Sequence, residues 1–284
     1  MADSLKRHWR AYRRDPKSLF LFLAVCLAAL LTMLSIIFII SYILIKGIPH
    51  LTPDLFDRHY TTENVSLLPA LFNTLFIMLL SLLFAVPTGI GAAIYLAEYA
   101  RQDNRLIHIV GITAETLSGI PSIVYGLFGS LFFVKYLSLG LSLLSGALTL
   151  SIMILPLIMR TTQEALRSVP DSYREGSFGL GAGKLRTVFS IVLPSAVPGI
   201  LSGVILGIGR IVGESAALIF TAGTVAEIAT GIFSSARTLS VHMYAISGEG
   251  LYIDQTYATA VVLLIVVILI NGLSSFAAKK IERR

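Results

Sequence analysis

The chain has 284 residues, 55% hydrophobic and only 13% charged, with a mean hydropathy of +0.82. A soluble domain of that composition would have to expose apolar surface to water, so the soluble globular class is excluded and a polytopic membrane protein is expected. A formal net charge of +6 would suggest nucleic-acid binding in a soluble protein, but here Lys and Arg gather at the ends of apolar runs. That is a topology signal and not a binding stripe.

Six runs are long enough to cross a hydrocarbon core, which takes about 20 helical residues. They lie at about Leu19 to Ile45, Pro69 to Ala97, Ile107 to Val134, Leu139 to Met159, Ala196 to Ala222 and Tyr257 to Ala278. Only helices and closed barrels satisfy backbone polar groups in lipid, and these runs lack strand-length alternation. The predicted fold class is all-α with six transmembrane helices. The chain divides into a basic segment 1–18, a first helix and its loop over 19–68, a core over 69–278 containing a polar loop 161–195, and a basic tail over 279–284.

Lys6, Arg7, Arg10, Arg13, Arg14 and Lys17 precede the first run. It is too long for a signal-peptide core and lacks a small-residue cleavage site, so a retained anchor is expected. Its Cys26, the single cysteine, fits neither an internal disulfide nor a metal-ligand spacing. In the second run Pro87, Gly89 and Gly91 suggest a kink and close packing. In the third, Glu115 lies about two turns inside, beside Ser118-Gly119-Ile120-Pro121-Ser122, where proline breaks the hydrogen-bond ladder and predicts a bent helix lining a cavity. Glu115 is then a pathway candidate, or a carboxylate satisfied by its neighbours. Arg160, ending the fourth run, is either a flanking cation or a second pathway group.

The fifth run holds Arg210 and Glu214, four residues apart and therefore on one face of a continuous helix. Gly199, Gly203 and Gly207 extend the same stripe, which must face protein or a water-filled path. A charge at this depth costs about 2.5–3.5 kcal/mol on insertion scales. It is therefore either an ion pair locking helices or an anion filter in which Arg210 binds oxyanion oxygens bidentately while Glu214 holds the guanidinium and prevents over-tight binding.

With an inside N-terminus, the inward segments hold the 22 Lys and Arg except Lys46, Arg58, Lys135, Arg237 and the intramembrane Arg210. Both termini and the 161–195 loop are thus expected in the cytoplasm, and the loops Lys46 to Leu68 and Gly223 to Thr256 outside. In the cytoplasmic loop, Pro170-Asp171 starts a short helix over Ser172 to Leu180 that ends at Gly181 and Gly183. The stretch Gly179 to Lys184 imitates a phosphate-binding loop, but Phe178 and Leu185 stand where that pattern needs Gly and Ser or Thr, and no strand precedes it. The chain is expected neither to bind nor to hydrolyse ATP. The five histidines show no metal-ligand spacing.

Glu175-Gly176-Ser177, then Gly181, then Ile191-Val192-Leu193-Pro194 resemble the coupling loop of permease subunits in ATP-driven (ABC) importers of type I. Gly176 and Ser177 replace the usual alanines. Ala92 to Tyr99, Leu117 to Gly126, Gly209 to Ala216 and Arg237 to Tyr244 further resemble the phosphate-importer permeases of the PstA family, a similarity running from about Pro69 to Ala278, with Ser215 in place of the commoner Thr. The resemblance implies that Ser172, Tyr173, Arg174, Glu175, Gly176, Ser177 and Gly181 couple to an ATPase. It also implies that Arg210 lies on the phosphate path, with Arg160 and Glu214 at matching charged positions. The implied partners are a PstC-like second permease, a PstB-like ATPase dimer carrying ATP and Mg, a PstS-like extracytoplasmic phosphate-binding protein and membrane lipid, with no nucleic acid. The implied location is a bacterial or archaeal cytoplasmic membrane. A permease for sulfate or molybdate, or an ATPase-independent ion-coupled transporter or channel, are the alternatives.

Overall fold

The computed structural model describes residues 16–100 and 105–282, which contain helices and no strands. Lys6, Arg7, Arg10, Arg13, Arg14, Arg101, Arg283 and Arg284, part of the expected charge asymmetry, lie outside the described residues. In chain order the helices are α1 Pro16–Gly47, α2 Leu68–Tyr99, α3 Arg105–Ser118, α4 Ser122–Tyr136, α5 Leu143–Arg167, α6 Asp171–Gly179, α7 Lys184–Gly213, α8 Ala216–Ile219, α9 Leu239–Glu249 and α10 Ile253–Glu282.

Among the described residues α1, α2, α5, α7 and α10 are each long and apolar enough to cross a membrane, and the α3–α4 pair makes a sixth span if counted as one. That pair bends by 103°, so the predicted third span is two helices. The cause is local. Gly119 and Ile120 donate to the Thr116 and Leu117 carbonyls at 3.1 and 3.2 Å, tightening the last turn of α3. Pro121 has no amide to continue the ladder and turns extended, with ψ 141. Tyr125 Oη then donates 2.7 Å back to the Leu117 carbonyl, satisfying an orphan acceptor and fixing the bend.

α5 is the axis. Its Leu150, Met153, Ile154 and Ile158 pack with Ile77 and Ala85 of α2 and with Ile208, Ile211 and Val212 of α7. Toward the α6 end a second cluster joins Leu166, Val169, Val188, Val192 and Ala196, and at the far end a third joins Leu55, Leu67, Leu239 and Ala258. In lipid, packing and interhelical hydrogen bonds drive helix association more than water exclusion does. The glycine stripe of α7 serves this end: a Cβ on Gly203 would run into Thr161, and one on Gly199 would lie 2.6 Å from the Ala165 Cβ. Ser151 bonds both its own Ala147 carbonyl at 2.6 Å and the Ser81 carbonyl of α2 at 3.0 Å.

Several helix ends differ from expectation. α5 runs to Arg167 and α7 starts at Lys184, so the predicted loop 161–195 shrinks to α6 and its two turns. Hydropathy marks where lipid ends, whereas these helices continue past it. α7 stops at Gly213, and Glu214 is extended with ψ 129, where one helix to Ala222 is predicted. The predicted outer loop Gly223 to Thr256 contains α9, which buries Leu239, Val241, His242 and Ile246. α1 is exposed along its length and meets the rest near its end. There Gly47 sits against the Tyr257 carbonyl with no room for a Cβ, and Tyr42 packs edge-on to Tyr257 at 5.8 Å.

Candidate translocation path and coupling surface

Arg160 and Glu115 come together: Arg160 Nη1 lies 3.6 Å from the Glu115 carboxylate of α3, and Nε lies 3.4 Å from Glu164 one turn on in α5. Arg160 and Glu115 stay 58% and 71% exposed, so this pair lines a face that the chain itself does not cover. Arg160 does not end its span. It lies well inside α5, whose neighbouring Thr161 faces Gly203 of α7.

Arg210 is half-buried on α7, seven residues beyond Gly203 and so roughly 10 Å further along the helix. The expectation that Glu214 holds it is overturned. Because α7 ends at Gly213, Glu214 leaves the shared face, and its carboxylate accepts the Ala217 amide at 3.1 Å, closing the first turn of α8. Among the described residues Arg210 has no ion-pair partner, which leaves its donors available to an anion. α4 fits closely on α8, where Gly126 leaves no space for a Cβ beside Ala217 Cα.

At the other end α6 is clamped to the bundle. Arg174 Nη2 sits 2.6 Å from Glu98 at the end of α2 and 2.8 Å from the Leu166 carbonyl, while Nη1 bonds the Val169 carbonyl at 2.8 Å and Asp171 at 3.2 Å. With Arg174 17% and Glu98 8% exposed, this is a buried pair whose other donors are also used. Hydrogen bonding to Glu98 raises the Arg174 pKa further above the usual guanidinium value. Ser177 is buried and lies 2.8 Å from Thr187 at the base of α7, and Lys184 Nζ sits 5.1 Å from the Tyr99 ring centroid. Gly181, at φ +82, makes the left-handed turn that follows α6, and its amide bonds the Phe178 carbonyl at 2.9 Å.

The residues expected to couple to an ATPase therefore split. Arg174 and Ser177 point inward as fasteners. Ser172, Tyr173, Glu175, Gly176 and Gly181 are exposed. A substituent on Gly176 would meet nothing within 4 Å, so packing does not require a small residue there. Sequence reasoning missed the exposed apolar side chains of Phe178, Leu180 and Leu185, with Leu180 91% exposed. The signal was available as apolar side chains in a polar loop. It also missed Glu98, a lone carboxylate where an apolar run meets the loop side.

A bundle of membrane-length helices that carries an exposed Arg160–Glu115 pair and a half-buried Arg210, with a short polar helix clamped across the ends of α2, α5 and α7, defines a polytopic helical permease. The chain belongs to the family described as binding-protein-dependent transport system inner membrane component, whose model matches residues 85–284, and it is an ABC permease of the PstA type. It is 35% identical over 233 residues to the probable ABC transporter permease protein YqgI of Bacillus subtilis strain 168, covering 75% of this chain and 78% of the relative. It is 33% identical over 230 residues to the phosphate transport system permease protein PstA of Xylella fastidiosa strain 9a5c, covering 80% of each. A chain of the bacterial alginate ABC transporter, solved with an alginate pentasaccharide-bound periplasmic protein, shares the fold at TM-score 0.69 and 17% identity, covering 97% of this chain and 98% of that one.

Proposed function

We propose that this permease moves inorganic phosphate across the cytoplasmic membrane, energised by a separate ATPase that carries ATP and Mg and pushes on α6. The observation that carries this is the two-sided character of α6: Arg174 and Ser177 fix it to α2, α5 and α7, while Leu180, Phe178 and Tyr173 are left exposed for a partner. A partner groove that shifts α6 would shift the three helices together. From Thr187 at the base of α7 to Arg210 is roughly 35 Å of helix, so the rod delivers that motion to the guanidinium. Arg210, without a carboxylate partner among the described residues, offers fork-shaped donors to a tetrahedral oxyanion. The phosphate-transport relatives support phosphate over sulfate or molybdate. A PstC-like second permease and a PstS-like binding protein complete the proposed assembly.

The test is phosphate uptake into vesicles holding the complex, with and without ATP. ATP-dependent uptake stopped by vanadate, and reduced at least tenfold by Arg210→Lys, is the expected result. Normal uptake in Arg210→Lys, or uptake that ignores vanadate, refutes the proposed roles.

A further inference from the structure

At the end of the bundle away from α6 lies a second guanidinium. α2 reaches from Glu98 beside α6 to Asn73, roughly 37 Å of helix away. There the Asn73 side chain donates to the Glu227 and Arg237 carbonyls at 2.9 and 3.3 Å and accepts the Ala229 amide at 3.0 Å. The Leu239 amide bonds Thr74 Oγ1 at 2.8 Å, and Ser240 Oγ donates to the Glu214 carbonyl at 2.5 Å. The backbone from 237 to 240 is thus fixed before any ligand arrives.

Arg237 is only 6% exposed and His242 is fully buried. Among the described residues Arg237 Nε and Nη2 and both His242 ring nitrogens have no hydrogen-bond partner, and no carboxylate pairs with the guanidinium. Tyr60 covers it, its ring centroid 4.4 Å from Arg237 Cζ, and also meets the His242 ring edge-on at 6.1 Å. A cation–π contact returns only a fraction of what desolvating an unpaired charge costs, so this arrangement calls for an anion. Burial, reinforced by the Arg237 charge, holds His242 neutral with a pKa near 3. The Val65 carbonyl approaches the ring and is the group favouring its protonation. A neutral imidazole presents one N–H and one lone pair. Its best complement is an oxyanion that also carries an O–H. Tyr60 closes one face and little of the guanidinium reaches the surface, which suits a small inorganic ion better than a side chain on a partner's surface.

We propose that Arg237 and His242 form a second oxyanion site, one that takes hydrogenphosphate in preference to sulfate and lies just beyond the end of α7 from Arg210. The site rests on the reading that the chain passes phosphate and adds a station before the Arg210 level. Ser240 ties the two through the Glu214 carbonyl.

The test uses the purified permease–ATPase complex without its binding protein, in an Arg210→Gln background, with inorganic phosphate as probe and its 31P line broadening as readout. Arg237→Gln is expected to weaken phosphate binding at least tenfold, and His242→Phe to abolish the preference for phosphate over sulfate. In anion-free buffer Arg237→Met should melt no lower than its parent, because it removes an uncompensated charge. Phosphate broadening unchanged by Arg237→Gln, sulfate competing as well as phosphate in the parent, or Arg237→Met melting well below its parent in anion-free buffer would each overturn the site. Vesicle uptake by the otherwise wild-type complex runs alongside. Absent phosphate uptake with Arg237-dependent binding intact refutes the transport reading alone, and normal uptake without such binding refutes this site alone.

Discussion

Removing the Arg174 guanidinium would leave Glu98, 8% exposed, as a buried charge without its counter-ion. Arg174→Ala should therefore destabilise by about 3–5 kcal/mol, because breaking one side of a buried pair costs more than the pair contributes. Replacing both partners with apolar residues, Arg174→Met with Glu98→Leu, should recover much of that loss. Melting of the purified complex measures both, and equal damage in single and double variants would argue against a buried pair. His242 gives a prediction of opposite character. Its native pKa of about 3 lies below the ordinary 6.5. As pH falls below about 6.5 the unfolded chain takes up a proton that the native state refuses, so stability is lost between pH 6.5 and 3 at up to about 1.4 kcal/mol per pH unit. The melting temperature of the parent should fall faster than that of His242→Gln from pH 6.5 to 4.5, and parallel curves would remove the buried neutral histidine from the account.

At the scale of elements, the packing of α7 on α5 depends on the absence of a side chain at Gly203, where a Cβ would overlap Thr161. Gly203→Leu should prevent the close approach and reduce folded yield severely, while Gly91→Leu on α2, which meets nothing within 4 Å, should be near neutral. Similar yields for both would show that the stripe is not the contact. For α6, Leu180→Asp should leave melting within about 0.5 kcal/mol of the parent, since an exposed residue away from packing contributes little, yet reduce co-purification of the proposed ATPase partner. Undiminished co-purification would move the partner surface away from Leu180. The existence of α6 was legible in Pro170-Asp171 and Gly181 because capping and turn chemistry are local. Which of its side chains face inward was not legible. The short helix has no strong apolar stripe, and its inner face is chosen by Glu98, 76 residues away in sequence.

For the whole molecule, orientation is the outstanding measurable. The single Cys26 allows a Cys26→Ser background in which cysteines introduced one at a time report their side of the membrane. A probe at Glu175 should react only from the cytoplasm and one at Thr230 only from outside; reaction of both from the same side would overturn the charge-based topology. The sequence by itself determined the helical class, the approximate spans and the short helix α6, because lipid forces every backbone group into local hydrogen bonds and turn residues act over a few positions. Tertiary structure alone decided the rest. The predicted Arg210–Glu214 partnership fails because the chain leaves the helix at Gly213. The pairings of Arg160 with Glu115 and of Arg174 with Glu98, and the enclosure of Arg237 with His242 under Tyr60, join residues far apart in sequence. Such contacts are set by how whole helices cross and carry no local periodicity from which they could be read.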